Sequence, residues 1–254
     1  MLRVARLCRH PIKGFTPEEI DSVALKANEH FPCDRLYAVE DGPCGYDPSK
    51  PEQISKFKFA VLARDARIAK AKTQYNEVTG VLQVSTDEDG SQSFRLFETA
   101  ERAAFCQWLA SFTNNDFDGP LQLISSAEGS RFMDSKSGFV SLINEASVAA
   151  ISDKLSVAVS ATRFRGNILF SGGAAWCEDA WTPGSILRLG DAELEVLKPI
   201  ERCRATHADP QKGEYNLDIV PALRLHCDRL TCGIYAKIVS GGRVALGDQI
   251  EQVR

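Results

Sequence analysis

Alternation of apolar and polar positions runs through the opening third of the chain. Residues 1–12, MLRVARLCRHPI, set Leu2, Val4 and Leu7 in partial alternation before Pro11, which cannot donate to a ladder, so a strand is predicted that stops there. RLYAVED (35–41) followed by Gly42-Pro43 reads as a strand entering a turn. Residues 66–97, ARIAKAKTQYNEVTGVLQVSTDEDGSQSFRLF, read as three short strands divided by turns at Gly80 and Asp89-Gly90. The period then changes. In TAERAAFCQWLASFTN (99–114), Ala103, Phe105, Trp108, Leu109 and Phe112 recur at helical spacing, which predicts an amphipathic helix.

The polar loop TNNDFDGP (113–120) is the expected boundary between two halves, residues 1–115 and 116–254. NEASVAAISDKLS (144–156) opens on an Asn/Ser cap signal and predicts a second helix. GNILFSG, SILRLGDAELEVLKP, GIYAKIVSGG and VALGDQIEQV follow as short strands punctuated by glycine turns, a spacing that suggests a barrel or closed sheet. The expected fold class is therefore β-rich α+β, two β-rich halves with a few helices.

The 254 residues suffice for one large domain or two small ones, and a net charge of −4 argues against a nucleic-acid partner. No apolar run reaches membrane-spanning length, and Arg3, Arg6, Arg9 and Lys13 interrupt any leader core, so a cytoplasmic protein without a membrane partner is expected. The eight cysteines include no CxxC pair; CDRLTC comes nearest, so neither a structural zinc site nor an iron–sulfur cluster is supported. Most are expected to pack as reduced thiols.

One cysteine stands apart. In KPIERCRAT (198–206), Cys203 lies between Arg202 and Arg204, and cationic neighbours favour the thiolate, the form that attacks or binds metal. It could be a nucleophile, a metal ligand or a half-buried structural thiol; a nucleophile would want a partner among His10, His30, His207 and His226, and spacing assigns none. A lone thiolate cannot hold zinc, but it could complete the sphere of a metal already held by a cofactor. Such a cofactor, if anionic, would need converging cations. HPIKGF (Lys13), CDRLYAVED (Asp34, Arg35), FRGNILFSGGAAWCEDAW (Arg165, Asn167, Glu178, Asp179) and RCRATHADP (Arg202, Asp209) supply candidates.

These stretches, in this order, resemble the MOSC domain: an FRxN stretch, an acidic-Asp-x-Trp stretch, Arg-Cys-x-x-Thr-x-x-Asp-Pro with a following Gly, and a closing Gly-Asp. HPIKGF with CDRLYAVED resembles the β-barrel N-terminal domain that accompanies MOSC in the amidoxime-reducing component and its bacterial relatives. The resemblance implies an N-terminal MOSC-type β domain followed by a MOSC β-barrel. It further implies the molybdenum cofactor (Mo-molybdopterin), with Cys203 as molybdenum ligand. Lys13, Gly14, Arg35, Arg165, Asn167, Arg202 and Tyr235 match the cofactor contacts; Gly14 stands where relatives often carry Ser, and Ala208 replaces the usual Val. The implied activity is reduction of small N-hydroxylated compounds. No C-x4-C-x2-C motif is present, so electrons are expected from a separate donor protein. Two other readings remain open: a sulfur carrier or transferase using a Cys203 persulfide, and a molybdenum cofactor carrier. The residues alone do not say whether Asp34, Glu178, Asp179 or Asp209 act chemically.

Overall fold

The computed structural model describes residues 1–88, 90–135 and 139–254; Asp89 of the expected Asp89-Gly90 turn lies outside them. Strand β1 (Leu2–Arg9) leads into β2 (Glu18–Ile20), β3 (Ser22–Leu25) and β4 (Tyr37–Asp41). A meander of β5 (Lys72–Asn76), β6 (Val81–Thr86) and β7 (Gly90–Arg95) precedes helix α1 (Thr99–Phe112) and β8 (Leu121–Ser125). The second half begins with β9 (Val140–Asn144), α2 (Glu145–Leu155) and β10 (Ile168–Ser171). It continues through β11 (Ile186–Leu189), β12 (Ala192–Glu201), α3 (Ile219–His226), β13 (Thr231–Ser240), β14 (Gly242–Ala245) and β15 (Gln249–Gln252).

Seven strands form a closed barrel in the order β10-β9-β13-β12-β11-β15-β1, and β1 pairs back onto β10 with Leu7 opposite Ile168. β1 also meets β15, Leu2 opposite Ile250, so the first strand completes a wall built otherwise from the second half. Along β12, Ala192, Leu194 and Val196 alternate with more exposed residues and face an interior shared with Leu142, Phe170, Ile234 and Ile250. The β3–β14 ladder adds Val23, Leu25 and Val244 to the same core. β9 and β10 are parallel neighbours joined through α2, whose Val148 and Ile151 cover Ile143 and Leu169 on the outer face. With both faces covered, those strands read as continuous apolar runs.

A second core lies among β4, β8, the β5–β7 meander and α1, where Phe105 and Leu109 pack against Leu82, Phe94 and Leu96. Residues 66–70 start no strand. Asp65 caps them as a 3-10 turn by accepting from the Arg67 amide, and β5 begins only at Lys72. α3 escaped the sequence pattern because Pro221 reads as a breaker, although a first-turn proline has no amide that the helix needs. Among the described residues no helix is long and apolar enough to cross a membrane.

Gly233 shows how tightly β13 and β9 approach. Its φ is +81°, and an added Cβ would lie 2.4 Å from the Leu142 carbonyl oxygen. Gly233→Ala is expected to lower stability by about 1–3 kcal/mol in urea unfolding, and an unchanged midpoint would show that the β9 backbone can yield.

Candidate functional site

A cleft of about 410 Å³ takes its walls from both halves of the chain. Lys13, Gly14, Arg35, Arg165, Arg202, Cys203 and Tyr235 all line it. Asn167 does not. It is fully buried behind the wall, where its Oδ1 accepts from the Ser141 amide (3.1 Å) and hydroxyl (2.9 Å), so it fixes the cleft-lining Ser141.

Local backbone delivers each side chain. After Pro11 ends β1, the Lys13 amide donates to Tyr37 O at 2.8 Å, fastening the HPIKGF turn to β4. Gly14 has φ +90°, and an added Cβ would sit 2.7 Å from the Val61 Cα, so a side chain there meets backbone. Arg35 (φ 52°) and Arg165 (φ 53°) both adopt the left-handed conformation, Arg165 as the cap of the 3-10 turn Ala161–Phe164. β12 shifts register three times, around Glu193/Leu194, Val196/Lys198 and Pro199/Glu201, and the last two irregularities accommodate Pro199 in the strand that delivers Arg202 and Cys203. Tyr235 on β13 stands opposite Ser141 and Lys198, both of which line the cleft.

The cleft concentrates positive charge. Arg35 Nη1 donates to Asp34, a carboxylate only 1% exposed, and Arg35 Nη2 reaches the Arg165 carbonyl at 3.4 Å. Burial works against ionising Asp34, but Arg35 and hydrogen bonds from His10 and Asn167 hold it well below the usual carboxylate range. Burial likewise opposes the Arg35 charge, yet Asp34 outweighs it and Arg35 is raised. Among the described residues Arg165 donates to Phe15 O alone, and burial, reinforced by the like charge of Arg35, pushes it down to about 10. Among them Arg202 likewise has no carboxylate partner: Nε donates to Cys232 O at 2.7 Å, Nη1 to Phe164 O at 2.8 Å, and burial lowers its pKa. Lys13 donates to Phe132 O at 2.9 Å and to Asp134, and burial lowers it too.

Cys203 is half-buried and initiates the 3-10 turn Arg204–His207, closed when the Thr206 amide (3.0 Å) and hydroxyl (2.9 Å) donate to the Cys203 carbonyl. Its sequence neighbours point elsewhere, because Arg202 is spent on carbonyls and Arg204 stacks on Tyr215, 4.2 Å from the ring centroid. A further cation of the lining, Lys56, has its pKa raised by Cys203, with Asp134 and Tyr235, although burial works against its charge. Lys56, Asp134, Ser135, Arg163 and Lys198 line the cleft and were missed in the sequence. Arg163, two residues before Arg165, and Lys198, which opens KPIERCRAT, carried a signal by proximity. The acidic residues of uncertain role hold structure in place. Glu178 accepts from Asn144 and Ser147 at 2.7 Å each, Asp179 pairs with Arg229, and Asp209 accepts from Arg163 and from the Gln211 and Lys212 amides.

Two consequences can be measured. Asp34→Asn leaves Arg35 buried without its counter-charge and is expected to cost about 3–5 kcal/mol; a loss under about 1 kcal/mol in denaturant titration would mean that solvent replaces the carboxylate. Burial, the leading cause in each case, also pushes His10 down to about 3, His30 down to about 4 and His207 below its ordinary value. Below about pH 6.5 the unfolded chain therefore binds more protons than the native one. The melting temperature is expected to be level above that pH and to fall as pH drops through about 4 toward about 3. An unchanged melting temperature between pH 7 and 4 contradicts this.

Family models place this architecture among known proteins. The MOSC N-terminal beta barrel domain matches residues 1–121, and the MOSC domain matches residues 130–251. Human mitochondrial amidoxime-reducing component 1 is 30% identical over 122 residues, 43% of this chain and 35% of that protein. Molybdenum cofactor sulfurase of Caenorhabditis elegans is 35% identical over 113 residues, 41% of this chain and 16% of that protein. The matches thus span about a third or less of these curated relatives. The crystal structure of the YUAD protein from Bacillus subtilis superposes with a TM-score of 0.50 at 13% identity, covering 98% of this chain and 94% of that one, and supports the fold alone. With two successive family models accounting for nearly all its length, the chain belongs to the MOSC family.

Proposed function

We propose that the protein is a molybdenum-cofactor-dependent reductase of small N-hydroxylated compounds, with Cys203 as the protein ligand to molybdenum. The observation that carries this reading is a half-buried thiol in a cleft whose arginines outnumber their carboxylate partners. Among the described residues, half-buried Arg165 and Arg202 donate to carbonyl oxygens alone, an arrangement suited to an anion with several oxygens. Two buried polar atoms of the lining, Ser135 Oγ and Arg163 Nε, have no hydrogen-bond partner among the described residues, which also suits a polar occupant. Among the described residues no three His, Cys, Asp or Glu side chains gather to hold a metal ion, so most ligands must come with the cofactor. The site fits that demand.

When bound, the molybdenum cofactor supplies the two-electron chemistry that removes oxygen from an N-hydroxylated compound, releasing the amine or amidine and water. The protein binds and orients. Lys13 and Arg35 reach in from the first half, and Arg165 and Arg202 from the second, to hold the anionic groups. Asn167 keeps Ser141 in the wall, and Tyr235 covers the same side from β13. Lys56 adds a further cation to the lining. Relatives named for amidoxime reduction support the substrate class, and electrons are assigned to a separate donor protein.

A second reading is favoured by the relatives named molybdenum cofactor sulfurase: Cys203 could carry a persulfide and pass its sulfur on. Protein made in a host that synthesises the cofactor separates the two. Near-stoichiometric molybdenum and pterin are expected, with molybdenum lost in Cys203→Ser, and reduced viologen should be oxidised when benzamidoxime is added. Cyanide-releasable sulfur on Cys203 without molybdenum would favour sulfur transfer. Cofactor bound and handed to an apo-enzyme without turnover would make the protein a carrier.

A further inference from the structure

The reading of Cys203 as a ligand leaves open what holds it in register with the arginines across the cleft. We infer that Arg163 is the positioning residue for Cys203, a single side chain that fixes the Cys203 turn to the segment presenting Arg165. Arg163 is 4% exposed, lies in the 3-10 turn Ala161–Phe164 and ends two residues before Arg165. Its guanidinium spans to the far side of the cleft wall. Nη1 donates to His207 O at 2.9 Å, with Thr206 O at 3.5 Å, and Nη2 donates to Asp209 Oδ2 at 2.9 Å and Asn216 Oδ1 at 2.7 Å.

Those acceptors belong to the structure that sets the thiol. Thr206 closes the turn onto the Cys203 carbonyl, and Asp209 draws in the Gln211 and Lys212 amides and the Asn216 side chain. Asp209 also receives the Gly213 amide on its carbonyl at 3.0 Å, so residues 203–213 are gathered on one guanidinium and one carboxylate. A guanidinium makes this joint rigid because its donors have fixed relative directions, which an ammonium lacks. Movement of the Cys203 turn therefore carries Arg163, and with it the backbone of Arg165.

The test uses the full chain in two preparations. In metal-free protein, iodoacetamide labelling of Cys203 is followed by peptide mass spectrometry, and amide exchange is followed across residues 203–213. Arg163→Lys keeps the charge but loses the fork, and labelling is expected to rise about tenfold, the equivalent of one charge-assisted hydrogen bond. Asn216→Ala removes one acceptor and should give a smaller rise in the same direction. This arm needs no cofactor, so it stands whether or not the reductase reading survives. In cofactor-loaded protein, the Mo(V) paramagnetic resonance spectrum of Asn216→Ala is expected to shift while pterin content stays unchanged. Labelling and exchange equal to wild type in both variants overturn the inference. Faster labelling accompanied by equal acceleration at Cys8 and Cys232, buried elsewhere, overturns it too, because it would report general loosening.

Discussion

Two guanidinium groups of like charge, on Arg35 and Arg165, face one cleft from opposite halves of the chain, and much of the surrounding structure answers to that crowding. Each repels the other in a setting that water does not fully screen. Asp34 supplies a buried carboxylate at their side, and it is itself fixed by the His10 amide at 2.7 Å. Both arginines sit on left-handed backbone, where a non-glycine residue persists only if its surroundings over-determine it. The Arg35 amide donates to His10 O and the Arg165 amide to Thr162 O, which provides that determination. The fold stores positive charge by locking backbone first and neutralising side chains only in part.

How much of this was legible in the sequence depends on the physical source of each feature. Helices α1 and α2 announced themselves through period and cap, since Asn144 does accept from the Ala146 amide as its position suggested. The barrel strands of the second half followed from short apolar runs between glycines. α3 and the 66–70 turn did not follow, because both depend on single capping or first-turn geometries that composition does not distinguish. β1 was read as a strand, but nothing local said that its partners would be β10 and β15, more than 150 residues away.

The site was legible in a similar way. Residues drawn into the cleft by motif order, from Lys13 to Tyr235, converge there. Flanking arginines made Cys203 conspicuous, yet backbone carbonyls and an aromatic ring draw them off, while Lys56, some 150 positions earlier in the chain, lines the same cleft. Asn167 stood in a recognisable stretch and works one layer behind the wall. Sequence neighbours propose chemistry, whereas three-dimensional pairing distributes it.

Barrel closure through β1 has a consequence for synthesis. β1 is synthesised well before its barrel partners Ile168–Ser171 and Gln249–Gln252, although nearby β2 pairs with its Leu7–Arg9 end. Until Ile168–Ser171 emerge, the edge of β1 that takes β10 stays uncovered, and Val4 lacks its partner Phe170. Vectorial folding of the first half can bury α1 and its meander, but it cannot finish the wall. The barrel is completed after residues 249–252 emerge, in a step dominated by contacts distant in sequence and correspondingly slow. Until that step, β1 presents an exposed strand edge of the kind that invites mispairing.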